Sequence, residues 1–195
     1  VPRLTRAESQ TRNREQVLQA ARDLFLREGY RATSLAAVAD AAGFSTGVVY
    51  SNFTGKPELA LLVLQGIQAE HTEALGPVLD PGRPPGELAA GLRAWAEVAL
   101  ASGWPRFELE FALDTRDDPR MVAAFVERQR YGAGLVSTVI RDRFPAELVE
   151  ALPVDAIADA IVDLLIGFAV RRLIDPNASL DQLEGLIRGV LTFQA

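Results

Sequence analysis

Residues 29–59 read Gly-Tyr-Arg-Ala-Thr-Ser-Leu-Ala-Ala-Val-Ala-Asp-Ala-Ala-Gly-Phe-Ser-Thr-Gly-Val-Val-Tyr-Ser-Asn-Phe-Thr-Gly-Lys-Pro-Glu-Leu. Two short helix-periodic runs lie in this stretch with a glycine between them. The first, about Ser34 to Ala42, puts Leu35, Val38, Ala39 and Ala42 on one face. Gly43 breaks it, where the chain must turn sharply through positive φ. The second, about Thr46 to Phe53, follows Ser45 as N-cap, and Thr54-Gly55 ends it. Val49 and Phe53, four apart, point this helix at a core, and the small Ala39 lets it cross the earlier one closely. That is helix-turn-helix spacing.

Upstream, Thr11 to Glu28 carries Val17, Ala21, Leu24 and Phe25 as an apolar stripe, and Gly29 stops it. Residues 1–10 are polar and read as an arm ahead of this helix. Downstream, a long apolar helix is expected from Lys56 or Pro57 to Gly76. A loop rich in proline follows from Pro77 to Gly86. Helices are then expected over Glu87–Ser102, Trp104–Thr115, Pro119–Arg143, Val154–Ile174 and Leu180–Phe193, with a short helix or loop at Pro145–Leu152. Alternating strand-like runs are absent. The fold class is therefore all-α, with a helix-turn-helix domain over 1–55 and a larger helical domain over 56–195.

Composition removes much chemistry. The 195 residues include no cysteine and a single histidine, His71. Disulfides, thiolate zinc sites and histidine-rich metal centres are excluded, and no metal or cofactor is expected. His71, beside Glu70 and Glu73, reads as a surface residue rather than a ligand. No run is long and apolar enough to span a bilayer. The first residues lack the apolar stretch of a secretory signal, so a cytoplasmic location is expected.

The net charge of −6 argues against a polyanionic partner until it is divided. Residues 1–56 hold eight basic and five acidic residues, net +3; the remainder is net −9. A basic head on an acidic body suits a protein whose head alone meets nucleic acid. Thr46, Gly47, Val48, Tyr50, Ser51 and Asn52 are the outward positions of the second run, and none is acidic. All are small or hydrogen-bonding except Val48, whose methyls suit a thymine methyl. Thr33 and Ser34 open the preceding helix, where free N–H groups favour anions. The Tyr50 hydroxyl can donate to a phosphate, and Lys56 is the only lysine.

Residues 29–59 closely resemble the DNA-binding domain of the TetR family of bacterial transcriptional regulators, and the resemblance runs from Arg14 to about Leu64. It implies that Thr33 and Ser34 anchor phosphate and that Ser45 caps the recognition helix. Thr46, Gly47, Val48 and Ser51 would face base edges, with Tyr50, Asn52 and Lys56 clamping the backbone. Ala36 and Ala37 depart from the pattern, since charged residues often stand there, and they leave no capping box. Arg3, Arg6 and Arg12 could add groove or phosphate contacts. None of Thr46, Val48 and Ser51 makes a bidentate contact to guanine, so DNA shape should carry a sizeable share of specificity.

For the remainder the family suggests an effector pocket and a dimer. Trp95, Trp104, Phe107, Phe111, Phe125 and Phe168 are candidate pocket residues, although core is the plainer reading of each. Glu108 and Glu110 share the Phe107–Phe111 stretch; a buried one would favour a cationic or hydroxylated ligand. The dimer face is expected on the last two helices: Ile157, Ile161, Leu164, Leu165 and Phe168 on one, Leu183, Ile187, Val190 and Leu191 on the other. A pair of recognition helices reads two half-sites, which also favours a dimer.

The expected protein is a non-enzymatic, homodimeric regulator, a repressor released from a palindromic operator by a small molecule. Two other readings compete. One is an all-helical small-molecule-binding or interaction protein whose helix-turn-helix does not bind DNA. The other is a hydrolase, because Gly43-Phe44-Ser45-Thr46-Gly47 matches G-x-S-x-G; that motif needs a preceding strand, and an alanine-rich helical run stands there instead.

Overall fold

The computed structural model describes residues 5–181 together with 184, 185, 188 and 189. Among these the regular elements are all helical: α1 (Arg6–Glu28), α2 (Leu35–Ala42), α3 (Thr46–Asn52), α4 (Lys56–Leu75), α5 (Pro85–Ala101), α6 (Trp104–Thr115), α7 (Pro119–Arg143), α8 (Ala146–Ala151) and α9 (Val154–Ile174). The all-α class is as read from the sequence. Helix α1 starts earlier than expected, which corrects the arm for residues 6–10. The Thr5 hydroxyl accepts the Glu8 N–H while the Glu8 carboxylate accepts the Thr5 N–H, a reciprocal cap that begins the helix at Arg6. The expected last helix over Leu180–Phe193 lies largely outside the described residues, as do Leu183, Ile187, Val190 and Leu191 of the expected dimer face. Arg3 and the Arg6 side chain lie outside them too.

The chain forms two compact units. One takes in residues up to Gln68 with Arg106–Val122; the other takes in Ala69–Pro105 and everything from Ala123. This differs from a division at 55/56. The first half of α4 buries Leu59, Ala60, Val63, Leu64 and Ile67, so it belongs to the core of the first unit.

That core grows from the α1 stripe. Val17, Ala21, Leu24 and Phe25 are buried, joined by Tyr30, Val38, Ala39, Val49 and Phe53. Helix α6 adds Phe107 and Phe111, both fully buried. Phe107 stacks on Phe25 at 4.7 Å between centroids, and Phe111 meets Tyr30 edge-to-face at 5.3 Å. Each fully buried aromatic contributes roughly 1.5–3 kcal/mol through area removed from water.

In the second unit, Leu88, Ala89, Ala96 and Ala99 of α5 are buried, as are Ala133 of α7 and Val154 and Ala158 of α9. Arginines fasten the connections by donating to backbone carbonyls. Arg143 donates to the carbonyls of Asp80 and Arg83, closing the proline-rich loop. Arg172 donates to the Ala178 carbonyl and to Glu97. His71 lies against the edges and faces of Trp95 and Trp104, at 5.8 and 4.6 Å. It is half-buried, which corrects the reading of a plain surface histidine.

Candidate nucleic-acid interface

Helices α2 and α3 owe their angle to Gly43. Its backbone is left-handed (φ 75, ψ 26), and the Phe44 N–H turns back to the Ala39 carbonyl at 2.9 Å. A residue with a β-carbon is strained there, and glycine is not. Ser34 caps α2, its hydroxyl accepting the Ala37 N–H at 3.1 Å. Ser45 stands at the start of α3 with extended backbone, yet its side chain makes no capping hydrogen bond, contrary to the role the resemblance implied.

Helix α3 is fixed from beneath. Val49 and Phe53 are buried, and Arg14 of α1 reaches across to its last turn. The Arg14 Nη1 donates to the Asn52 carbonyl at 2.7 Å, and its guanidinium lies 4.5 Å from the centre of the Phe53 ring. A cation at a helix C-terminus answers the unpaired carbonyls of the last turn. Arg14 is three residues before the buried Val17, and only this position on the stripe marked it in advance.

The face turned to solvent is small and uncharged. Thr46, Gly47, Tyr50 and Ser51 are exposed, and Val48 and Asn52 are half-buried. Tyr50 is 62% exposed, high for an aromatic with a polar tip. Ser51 and Asn52 both donate to the Val48 carbonyl at 2.8 Å, which orients their side chains along the end of the helix. Ala7, Gln10, Thr11 and Arg14 of α1 line a cleft with Ser51 and Asn52, so the start of α1 borders the same face.

Thr33 and Lys56, both expected at phosphates, are held by neighbouring groups of the first unit. Thr33 is buried and its hydroxyl donates to the Gly29 carbonyl at 2.8 Å, so the side chain closes the α1–α2 turn and is not offered outward. Lys56 is half-buried, with Nζ 4.1 Å from the Tyr30 ring centre and 3.5 Å from the Arg31 carbonyl. Burial lowers its pKa, partly opposed by the charges of Asp114 and Glu110. Its charge is anchored in place by the ring beneath it. Glu58 organises the start of α4 by accepting the Thr54 N–H and hydroxyl, both at 2.6 Å.

The candidate pocket residues separate. Phe107 and Phe111 are core of the first unit, whereas Trp95, Trp104, Phe125 and Phe168 lie in the second and are half-buried. Phe107 and Phe111 are therefore core of the first unit, in place of the effector contacts expected of them. Glu110 is likewise committed within the first unit, accepting the Arg31 backbone N–H and Arg106 Nε. In the second unit, Trp95 Nε1 and Trp104 Nε1 are buried and make no hydrogen bond to the described residues. On α9, Leu164 is exposed, with Ile157, Ile161, Leu165 and Phe168 half-buried. Among the described residues no three His, Asp or Glu side chains gather as metal ligands, and no helix is long and apolar enough to cross a membrane.

A short helix, a left-handed glycine turn and a second helix with an acid-free outer face define a helix-turn-helix protein. Residues 17–63 match the family model for bacterial regulatory proteins of the tetR family. The chain is 23% identical over 188 residues to the HTH-type transcriptional repressor AcnR of Corynebacterium glutamicum, covering 91% of this chain and 94% of that protein. It is 46% identical over 52 residues to the HTH-type transcriptional activator FasR of Mycolicibacterium smegmatis, 27% of this chain and 24% of that protein. A solved transcriptional regulator from Rhodococcus sp. Rha1 shares the fold with a TM-score of 0.71 at 18% identity, over 93% of this chain and 95% of that one. The helix-turn-helix region is thus similar to the DNA-binding region of tetR-family regulators, and the rest of the chain shares their all-helical fold.

Proposed function

We propose that this chain is a cytoplasmic, homodimeric repressor that binds a palindromic operator and is released by a small molecule. The observation that carries the proposal is the outer face of α3. Six neutral residues lie there, on a helix clamped from below by Val49, Phe53 and Arg14. A helix surface meant only for water ordinarily carries Glu and Lys. Thr46, Gly47, Val48 and Ser51 read base edges in the major groove. Tyr50, Asn52, Lys56, Ser34 and the first N–H groups of α2 hold phosphates. The repressor AcnR resembles the chain along nearly its full length, which favours repression over activation.

Dimerisation uses α9 with Ile157, Ile161, Leu164, Leu165 and Phe168, joined by Leu183, Ile187, Val190 and Leu191 nearer the C-terminus. The effector sits in the second unit near Trp95, Trp104, Phe125 and Phe168. The chain passes between the units within α4 at 68/69, within α6 at 105/106 and within α7 at 122/123, so these helices are the covalent routes by which occupancy changes half-site spacing. By linkage, operator DNA weakens effector binding by the same factor.

The test is selection from a random duplex library at two salt concentrations. A recovered palindrome with affinity falling steeply in salt is expected. A folded dimer that enriches no sequence at either salt overturns the proposal and leaves a small-molecule-binding protein with an idle helix-turn-helix.

A further inference from the structure

Glu110 lies far along the chain from the helix-turn-helix, yet its carboxylate closes on the turn that joins α1 to α2. One oxygen accepts the Arg31 backbone N–H at 2.9 Å, and the other accepts Arg106 Nε at 2.8 Å. A β-carbon placed on Gly29 would sit 2.6 and 2.9 Å from the two oxygens, so the carboxylate occupies the space of the missing side chain. Asp114, one turn further along α6, comes within 3.7 Å of Arg31 Nε. Phe107 and Phe111, on either side of Glu110, pack against Phe25 face-to-face and Tyr30 edge-to-face respectively. Helix α6 therefore grips this turn by packing at its flanks and by a charge-assisted hydrogen bond at its centre.

The turn is the mount for much of the phosphate-facing surface. Thr33 closes it by bonding to the Gly29 carbonyl, and Ser34 then caps α2. Lys56 rests over Tyr30 and reaches the Arg31 carbonyl, the opposite face of the residue whose N–H Glu110 holds. We infer that Glu110 is a positioning residue for DNA binding: by holding the Arg31 amide it sets the α1–α2 turn, and with it the start of α2 and the Lys56 ammonium. It touches no DNA itself, and as an anion it repels phosphate, so any gain in affinity it brings comes through placement. This inference rests on the DNA-binding reading above.

The test uses the full chain as wild type, Glu110→Ala, Glu110→Asp and Glu110→Gln. Two quantities are read: amide hydrogen exchange at residue 31, and binding to a labelled duplex recovered by the selection, or to a random-sequence duplex at low salt. Glu110→Ala should speed exchange at Arg31 and weaken duplex binding by about tenfold, the size of one hydrogen bond to a charged group. Exchange in the buried half of α1 should not change. Glu110→Gln keeps both reach and an acceptor oxygen and should recover most of both losses. Glu110→Asp keeps the charge, is one methylene short, and should resemble alanine. If Glu110→Ala fails to fold, the contrast between Gln and Asp decides. Equal duplex binding by wild type, Asp and Gln variants overturns the inference alone. A wild type that binds no duplex removes the DNA-binding reading and this inference together, while the exchange data still report whether Glu110 sets the turn.

Discussion

The rings of Phe25 and Phe107 stack 4.7 Å apart with 13° between their planes, joining α1 to α6 inside the first unit. Both side chains are fully buried. A segment that reads as part of the ligand domain thus completes the hydrophobic core beneath the helix-turn-helix. Phe107→Ala should cost about 3–5 kcal/mol, because it deletes a ring from a closed core and leaves a cavity. Denaturant unfolding followed by circular dichroism measures this. A midpoint unchanged from wild type would show that α6 does not support this core.

The two glycines that end α1 and α2 make different demands. Gly43 has φ 75 and nothing within 4 Å of a built β-carbon, so Gly43→Ala meets only backbone strain of roughly 1–2 kcal/mol. Gly29 has φ 87 and would also drive a β-carbon into the Glu110 carboxylate at 2.6 Å. Gly29→Ala should therefore be the more damaging change. It should lose part of that excess when combined with Glu110→Ala, a coupling that a double-mutant cycle on thermal stability detects. Purely additive losses would place the Glu110 carboxylate away from Gly29.

These contrasts mark what the sequence made legible. The α1–α3 arrangement follows from local rules, namely a stripe at helical period, two small N-cap residues and one glycine, and each is readable within about ten residues. Gly43 was expected at positive φ and is found there. Non-local pairing was not readable. Phe107 and Phe111 share a face four apart whether they line a pocket or a core, and only the partner rings of Phe25 and Tyr30 decide between the two. Thr33 looked like a phosphate donor because it precedes a helix, but the direction of its hydroxyl depends on the turn behind it. Thr5 and Glu8 carried a legible capping box in residues read as an arm. Glu110 and Arg14 stand out in the sequence, but their partners, a distant amide and a distant carbonyl, do not.

Tyr30 gives a prediction in pH. Burial, aided by the negative charge of Asp114, pushes its phenol up to about 12 from an ordinary 10.0. The unfolded chain then gives up this proton first. The phenol's contribution is fully present below about pH 10 and is lost as pH rises through about 12, since the native state binds the extra proton in that window. Tyr30→Phe keeps the ring under Lys56 and should flatten the loss of stability over this range. Thermal melts from pH 9 to 12 provide the check, and parallel curves for the two proteins would contradict the assignment.

Specificity and affinity should separate on the binding face. In the proposed role, Lys56, held over the Tyr30 ring, offers a phosphate one positive charge and reads no base. Lys56→Met should weaken binding to every duplex alike and reduce the slope of log K against log salt by about one. Thr46 and Val48 carry no charge to release counterions. Thr46→Ala and Val48→Ala should leave that slope as it is and redistribute preference at single positions of the half-site, by about 1–3 kcal/mol for each pair changed. Gly47 should behave differently again. A β-carbon there would meet only Ser45 Oγ, at an ordinary 3.6 Å, so the fold tolerates alanine and any loss in Gly47→Ala belongs to the approach of DNA. Competition binding with each variant on a matched, a singly substituted and an unrelated duplex separates the three behaviours. If Lys56→Met altered base preference, or Thr46→Ala changed the salt slope, the division of this face into phosphate-holding and base-reading residues would be wrong.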